Sequence, residues 1–305
     1  MTSWHNEYFS IHPEVAQALK EQKPIVALES TVITHGLPHP ENEKLARDLE
    51  NVVRENRCIP ATIAILDGKI RIGLDDGQLE RLAQSKDMMK VSSRDIASAL
   101  VQRNSGGTTV AGTLAIAKEV GIRVFATGGI GGVHRQATFD VSADLLQLAN
   151  SQLVVVCAGA KAILDIPATL EVLETYGVPV VGYCTHEFPA FYSISSGMMV
   201  GARLDSAREV AQLARVHWEL GRPSAILLAV PPPAEAALDP QFVEDAIRKS
   251  LDEAERMNVH GQAVTPFLLS RVSELTGGAS LKVNLELLHN NARVAANIAP
   301  YLLPG

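Results

Sequence analysis

Short apolar runs alternate with longer amphipathic stretches along most of the chain. The runs at 24–28, 122–126, 152–157, 178–183 and 225–230 have the length and composition of β-strands buried on both faces. Between the runs, apolar positions recur every three or four residues, as in helices that cover one face of a sheet. This alternation predicts an α/β protein in which helices connect parallel strands.

One pair of strands departs from the parallel pattern. Residues 62–66 and 69–73 flank Asp67-Gly68, a dipeptide that favours a tight β-hairpin. A hairpin cannot belong to a purely parallel sheet, so we expect a three-layer α/β/α fold with a mostly parallel, mixed central sheet. Helices are predicted over 13–21, 40–56, 78–85, 95–101, 111–119, 145–149, 167–176, 206–220, 240–257, 265–277 and 280–302.

Composition narrows the classes of protein and partner. Of 305 residues, 47% are hydrophobic and 20% charged, which fits a globular enzyme with a large core. A net charge of −7 argues against a nucleic-acid partner but leaves room for a local phosphate pocket. The three cysteines are too scattered for a disulfide framework or a zinc site. No apolar run approaches the ~20 residues that span a bilayer.

The same features predict where the protein resides and how many domains it has. Residues 1–7 have neither the basic region nor the apolar core of a signal peptide, so we expect a cytoplasmic protein without a membrane partner. No repeat, low-complexity tract or linker interrupts the strand–helix alternation. A single domain over residues 1–305 is therefore predicted.

Two ionisable side chains follow predicted buried strands. Glu29 comes directly after the run at 24–28, and Lys161 follows the run at 152–157. Ligand sites of open α/β sheets lie at the carboxyl ends of strands, so both are catalytic candidates. A desolvated lysine can act as a nucleophile and a carboxylic acid can move protons. Two plainer interpretations stay open: Glu29 can face solvent or a cation, and Lys161 can extend to solvent from a helix start.

Several segments suit an anion. The glycine-rich turn at 127–135 allows close approach to the backbone, yet His134 stands where a dinucleotide-binding loop has its third glycine. Residues 106–110 open a predicted helix with glycines and hydroxyls that can bind phosphate. Lys90 and Arg94 flank serines before another helix, although a solvated loop explains them as well.

Oxygen-bearing side chains alternate at Asp140, Ser142 and Asp144. In an extended segment they would share one face, roughly 6.6 Å apart, and could hold a hard divalent cation. Alternatively, Ser142 or Asp144 caps the helix at 145–149, which explains only one of them. Asn284, in the last predicted helix, is either a buried site residue or a surface amide. Together these candidates suggest chemistry at the carbonyl or anomeric carbon of a sugar phosphate.

Eight segments between about Ile11 and Asn291 resemble, in consistent order, the pseudouridine-5′-phosphate glycosidases, also called indigoidine synthase A-like proteins. The matching segments are 27–31, 61–64, 90–92, 125–135, 139–144, 157–161, 265–269 and 274–278. The resemblance implies reversible cleavage of the C–C glycosidic bond of pseudouridine 5′-phosphate to uracil and ribose 5-phosphate. It also implies a homotrimer. Residues 136–138 form a shorter connection than in some relatives.

The resemblance also implies roles for individual residues. Lys161 matches the lysine that forms an imine with ring-opened ribose 5-phosphate, Glu29 the proton donor and Asp140 the ligand of a manganese ion, Mn²⁺. The other matches are substrate contacts, with Lys90 as the phosphate partner: Lys90, Val110, Ser142, Ala143 and Asp144, joined in the pocket by Thr127, His134 and Asn284. Two alternatives remain. One is an imine-forming aldolase or lyase for another sugar phosphate, and the other is a phosphosugar-binding module without activity.

Overall fold

The computed structural model describes residues 7–135, 140–259 and 264–303. Two sequence predictions fall wholly or mostly outside these ranges. One is the shorter connection at 136–138, and the other is the absence of signal-peptide features in residues 1–7, of which only Glu7 is described. The strands are β1 (Phe9–Ile11), β2 (Ile25–Leu28), β3 (Ile59–Leu66), β4 (Lys69–Ile72), β5 (Met89–Val91), β6 (Gly106–Thr108), β7 (Val124–Ala126), β8 (Val133–His134), β9 (Val154–Cys157), β10 (Leu164–Asp165), β11 (Val180–Tyr183), β12 (Ala202–Leu204) and β13 (Ile226–Ala229).

Helices separate most of these strands. They are α1 (Pro13–Lys20), α2 (Glu41–Glu55), α3 (Asp76–Gln84), α4 (Ile96–Val101), α5 (Val110–Glu119), α6 (Ala143–Leu148), α7 (Ile166–Thr175), α8 (Ala207–Glu219), α9 (Pro240–Arg256), α10 (Val264–Leu275) and α11 (Ala279–Ile298). A short π-helix (Val32–Gly36) follows β2, and 3₁₀ turns lie at Ser93–Asp95 and Ala299–Leu302. Among the described helices, none is both long and apolar enough to cross a membrane.

One mixed sheet organises the described chain. Its strand order is β1-β4-β3-β2-β7-β9-β13-β11-β12, and β6 and β5 branch from β3. In sheet order, the neighbours in the series β2-β7-β9-β13-β11-β12 all pair in parallel. By contrast, β3 pairs antiparallel with β4 and β6. With helices packed against the strands, the predicted three-layer α/β/α fold with a mostly parallel, mixed sheet is confirmed.

The predicted hairpin between β3 and β4 is also present. Its turn residues Asp67 and Gly68 have φ values of 52° and 70°. Two-residue hairpin turns of this kind need positive φ at both central positions, and Asp-Gly adopts that conformation more readily than most dipeptides. β3 pairs with β2 through 59–62 and with β4 through 63–66.

Two short strands occupy segments where the sequence predicts no strand. Met89–Val91 forms β5 and Gly106–Thr108 forms β6, and the two pair in parallel. The glycine at 107 is required here by close packing, because a Cβ on Gly107 would lie 2.7 Å from the Ser30 carbonyl oxygen. The consequence for the site is that Lys90 lies on a strand rather than in a solvated loop.

Candidate active site

The carboxyl ends of β2, β7 and β9 meet at one edge of the sheet. β7 pairs with both β2 and β9, so the three strands are direct neighbours. Glu29 follows β2, Thr127 follows β7, and Lys161 lies four residues beyond β9. Parallel neighbours end at the same edge, and the structure thereby brings together two side chains that are 132 positions apart in sequence.

Two adjoining cavities lie at this edge. The larger, which we call the main cleft, has a volume of about 370 Å³. Its lining includes most of the predicted site residues: Glu29, Lys90, Val110, His134, Asp140, Ser142, Ala143, Asp144 and Lys161. The inner chamber, of about 60 Å³, shares Glu29, Lys90 and Lys161 with the main cleft and adds Asn284. Thr127 is buried behind Glu29, so all the predicted residues belong to one site.

Glu29 is buried at the base of the site, with 9% of its surface exposed. The Thr127 hydroxyl donates a short hydrogen bond to its Oε1. Burial raises the pKa of Glu29, and the nearby Lys161 ammonium and the Thr127 hydroxyl oppose this rise without outweighing it. The interpretation that Glu29 faces solvent is therefore wrong. A carboxyl group in this setting holds its proton to higher pH than an ordinary glutamate, which suits an acid.

The two lysines of the site lie on different structural elements, a β-strand and an irregular segment. Lys90 is on β5, opposite Gly107, and burial followed by the charge of Lys161 lowers its pKa. Lys161 lies in an irregular segment that is tied to the glycine-rich turn, because its backbone N–H donates to the Ile130 carbonyl at 3.0 Å. The alternative interpretation requires a helix start directly after Lys161, but β10 follows there, and α7 begins only at Ile166. A helix start thus does not explain this lysine.

Asp144 has a different role from the one its spacing suggests. Ser142 caps α6, its hydroxyl accepting from the Asp144 N–H, so Asp144 lies in the first helical turn rather than in an extended segment. Its carboxylate is buried and accepts hydrogen bonds from the backbone N–H groups of Ala111 and Gly131, each at 2.8 Å. The prediction that Asp140, Ser142 and Asp144 share one extended face is wrong. Asp144 instead joins the start of α5 to the glycine-rich turn.

The site offers few protein ligands for a metal. Across residues 7–135, 140–259 and 264–303, no three His, Cys, Asp or Glu side chains come together as a metal-binding group. Asp140 is exposed and lines the main cleft, while its backbone carbonyl accepts from the His134 N–H at 2.9 Å. These residues fit a hard cation that keeps most of its water ligands and binds through one carboxylate.

The contact between Gly131 and α6 gives a first prediction. A Cβ at Gly131 would lie 2.7 Å from the Ser142 Cβ and 2.8 Å from the Asp144 Oδ2, both on a capped, buried helix start. We expect Gly131→Ala to lower the free energy of unfolding by about 1–3 kcal/mol through overpacking, measured by thermal denaturation. Gly77→Ala is the control, since the nearest atom to its Cβ would be 3.5 Å away. Equal melting temperatures for the two variants would contradict the tight packing described here.

The sequence predictions omit one residue that lines the site and one that supports it from behind. His35, in the π-helix, lines the inner chamber beside Lys90, and burial lowers its pKa. Asn291, on α11, is fully buried and donates to the carbonyl oxygen of Thr127. The helical periodicity that predicts an inward Leu287 also predicts an inward Asn291, four residues later, so a signal existed for this residue. Nothing in the sequence predicts the π-helix that carries His35.

Comparisons with known proteins agree along nearly the whole chain. The model of the indigoidine synthase A-like protein family matches residues 14–301. Proteins named pseudouridine-5′-phosphate glycosidase from Caldanaerobacter subterraneus and Herpetosiphon aurantiacus are 52% and 55% identical, over 97% and 94% of this chain and 97% and 95% of theirs.

Solved structures show the same fold. The prealnumycin C-glycosynthase AlnA, crystallised in complex with ribulose 5-phosphate, is 41% identical with a TM-score of 0.90, and the match covers 97% of each chain. An indigoidine synthase A-like protein from Thermotoga maritima is 36% identical with a TM-score of 0.88, over 96% of this chain and 95% of that one. The chain belongs to the indigoidine synthase A-like protein family.

Proposed function

We propose that this protein is a pseudouridine-5′-phosphate glycosidase. It reversibly cleaves the C–C glycosidic bond of pseudouridine 5′-phosphate, giving uracil and ribose 5-phosphate. The observation that carries the proposal is the meeting of a buried Glu29 with Lys161 in one cleft, at the ends of neighbouring strands. The names of relatives that are about half identical support the substrate. The ribulose 5-phosphate complex of a C-glycosynthase relative supports a sugar phosphate in this site.

The chemistry follows from the bond to be broken. A C-glycoside has no leaving-group oxygen to protonate, so the paired carboxylates of ordinary glycosidases are insufficient. In the proposed reaction, Glu29 protonates the ring oxygen as the ribose opens, and the side-chain nitrogen of Lys161 bonds to C1′. Glu29, now ionised, takes a proton from the lysine nitrogen and passes it to the uracil carbon. The C–C bond then breaks, its electrons go to uracil, and C1′ and the lysine nitrogen form a protonated imine. Water hydrolyses the imine, which releases ribose 5-phosphate and the free amine.

Positive charge and backbone amides at the main cleft suit the phosphate. Val110 is the first residue of α5, whose N-cap is Thr109, and it lines the cleft together with Lys90. Helix starts and lysines both favour a phosphate group. We assign the remaining substrate contacts to Thr127, His134, Ser142, Ala143, Asp144 and Asn284.

A divalent ion, Mn²⁺ in this proposal, would be held by Asp140 and water. When bound, such an ion supplies positive charge and ordered water next to the substrate. We expect chelation to lower kcat/KM by roughly 10²-fold and added Mn²⁺ to restore it. Asp140→Ala should weaken Mn²⁺ binding, measured by electron paramagnetic resonance of the free ion, whereas Asp87→Ala, an exposed site on another loop, should not. Wild-type Mn²⁺ affinity in the Asp140→Ala variant would exclude Asp140 as the ligand.

The decisive experiment is incubation of the purified protein with pseudouridine 5′-phosphate and Mn²⁺. Chromatography should detect uracil and ribose 5-phosphate in equal amounts. An aldolase or lyase for another sugar phosphate would release no uracil, and a phosphosugar-binding module would bind ribose 5-phosphate without turnover. We also propose a homotrimer of 32.7 kDa chains, which sedimentation velocity would test directly.

A further inference from the structure

We propose that Asn291 is a positioning residue, which holds the glycine-rich turn where Thr127 meets Glu29. Asn291 lies on α11 and is fully buried. Its Nδ2 donates to the Thr127 carbonyl oxygen at 2.8 Å and, more weakly, to the Gly128 carbonyl oxygen at 3.4 Å. The inference rests on the proposed function of Glu29, although Asn291 itself contacts neither the cleft nor the reacting atoms.

The two carbonyl groups belong to residues that reach both halves of the proposed machinery. Thr127 donates its hydroxyl to the carboxylate of Glu29. Gly128 accepts, at 2.8 Å, the backbone N–H of Ala158, which begins the segment leading to Lys161. One amide group therefore fixes the spacing between the segment that orients the acid and the segment that carries the amine.

The chemistry of the amide indicates that its donor function is what the site requires. The Asn291 Oδ1 is buried and finds no hydrogen-bond partner within the described part of the chain. A rotated amide would place this oxygen against two carbonyl oxygens, so only one orientation is favourable. The neighbours one helical turn away, Leu287 and Ala295, are apolar, and a leucine at 291 would suit that packing better. A half-satisfied polar group at such a position is explained by the bonds that its Nδ2 donates.

A positioning role for Asn291 predicts a change in the pH dependence of kcat, whereas a role in packing alone does not. Burial raises the pKa of Glu29 and the charge of Asp144 adds to this, whereas the charge of Lys161, the Thr127 hydroxyl and the charge of Lys90 lower it. If the turn shifts, the hydrogen bond from Thr127 weakens and the pKa of Glu29 rises further. Because the proposed reaction uses protonated Glu29, the alkaline fall of kcat should then move to higher pH.

The test compares the variants Asn291→Leu and Asn291→Asp with the control Asn290→Leu. Asn290 does not contact the glycine-rich turn through its Oδ1, which accepts a hydrogen bond from Arg293 at 2.7 Å. For Asn291→Leu we expect kcat to fall roughly 10–100-fold, KM to change much less, and the alkaline limb to shift upward. Asn291→Asp should approach wild-type turnover only at low pH, where its protonated carboxyl group can donate. Asn290→Leu should match the wild type.

A direct titration separates this inference from the proposed function. Glutamate labelled with ¹³C at the carboxyl carbon gives one resonance that disappears in Glu29→Gln, and that resonance reports the protonation of Glu29. A titration and a kcat profile unchanged in Asn291→Leu would overturn the inference. A shifted titration in a protein that releases no uracil would retain Asn291 as the positioning residue and reject the glycosidase. If Asn291→Leu does not fold, a pH-independent ratio of Asn291→Asp to wild-type kcat would overturn it instead.

Discussion

Lys161→Ala will lose turnover of pseudouridine 5′-phosphate by roughly 10³-fold or more, because no other group replaces the amine that bonds to C1′. Lys161→Arg should be equally inactive, since its guanidinium keeps the charge and cannot form the imine. Both variants should still fold, because Lys161 lies in an irregular segment at the cleft and is only partly buried. Uracil release measures the first effect, and thermal denaturation the second.

Borohydride trapping identifies the amine independently of turnover. Reduction in the presence of ribose 5-phosphate should add the sugar phosphate to Lys161, located by peptide mass spectrometry. Lys90 is the critical comparison, because it lines the same cleft and burial lowers its pKa. A label on Lys90, or near wild-type turnover in Lys161→Ala, would reject the proposed chemistry. Lys118→Ala, on a helix surface where Nζ donates to the Asn150 carbonyl oxygen, controls for the loss of a lysine.

The sequence was sufficient to predict the central layer of the fold. Continuous apolar runs such as 152–157 can be satisfied only by burial on both faces, and the structure has a central strand there, Val154–Cys157. The Asp-Gly turn was equally predictable, because its backbone conformation is a local property. Both features depend on residues that are adjacent in the sequence, and for this reason they can be predicted without knowledge of the fold.

The errors arose where a distant segment decides the conformation. Gly106 and Gly107 are predicted to open a helix, yet β3 and β5 supply the hydrogen bonds that make them a strand. The alternation of Asp140, Ser142 and Asp144 fits an extended segment, but the structure confirms the alternative, in which Ser142 caps a helix. The buried carboxylate that results is stabilised by amides from two other elements, which no local pattern encodes.

For the candidate site, likewise, the sequence predicts some residues and not others. The rule that ligands bind at the carboxyl ends of strands located Glu29 and Lys161, and strand order then brought them to one edge. Family resemblance supplied the roles, which remain predictions. Asn291 was missed because its importance lies in two backbone carbonyl groups that are more than 160 residues away in sequence.

Glu29→Gln will also lose activity, by roughly 10²–10⁴-fold, because the amide cannot deliver the proton that the ring oxygen needs. The substitution preserves shape, and the carbonyl oxygen of the new amide side chain can still accept the Thr127 hydroxyl. Glu50→Gln is a close control: Glu50, on α2, also accepts a threonine hydroxyl, from Thr62 at 2.6 Å, and burial raises its pKa. It lies outside the main cleft and the inner chamber, so its replacement should leave uracil release unchanged.

The same substitution of Glu29 should stabilise the fold at neutral pH, and the size of this effect should depend on pH. A carboxyl group whose pKa is raised in the folded state contributes stability below its unfolded pKa, and this contribution is lost as pH rises through the folded pKa. Since burial raises the pKa of Glu29, wild-type stability should decline over that interval, whereas the amide of the Glu29→Gln variant does not titrate. The Tm difference between variant and wild type should therefore grow from acid to neutral pH, with roughly 2 °C for each kcal/mol of stability gained. A constant difference across that range would mean that Glu29 titrates alike in the folded and unfolded chain, and its burial would then not explain its use as an acid.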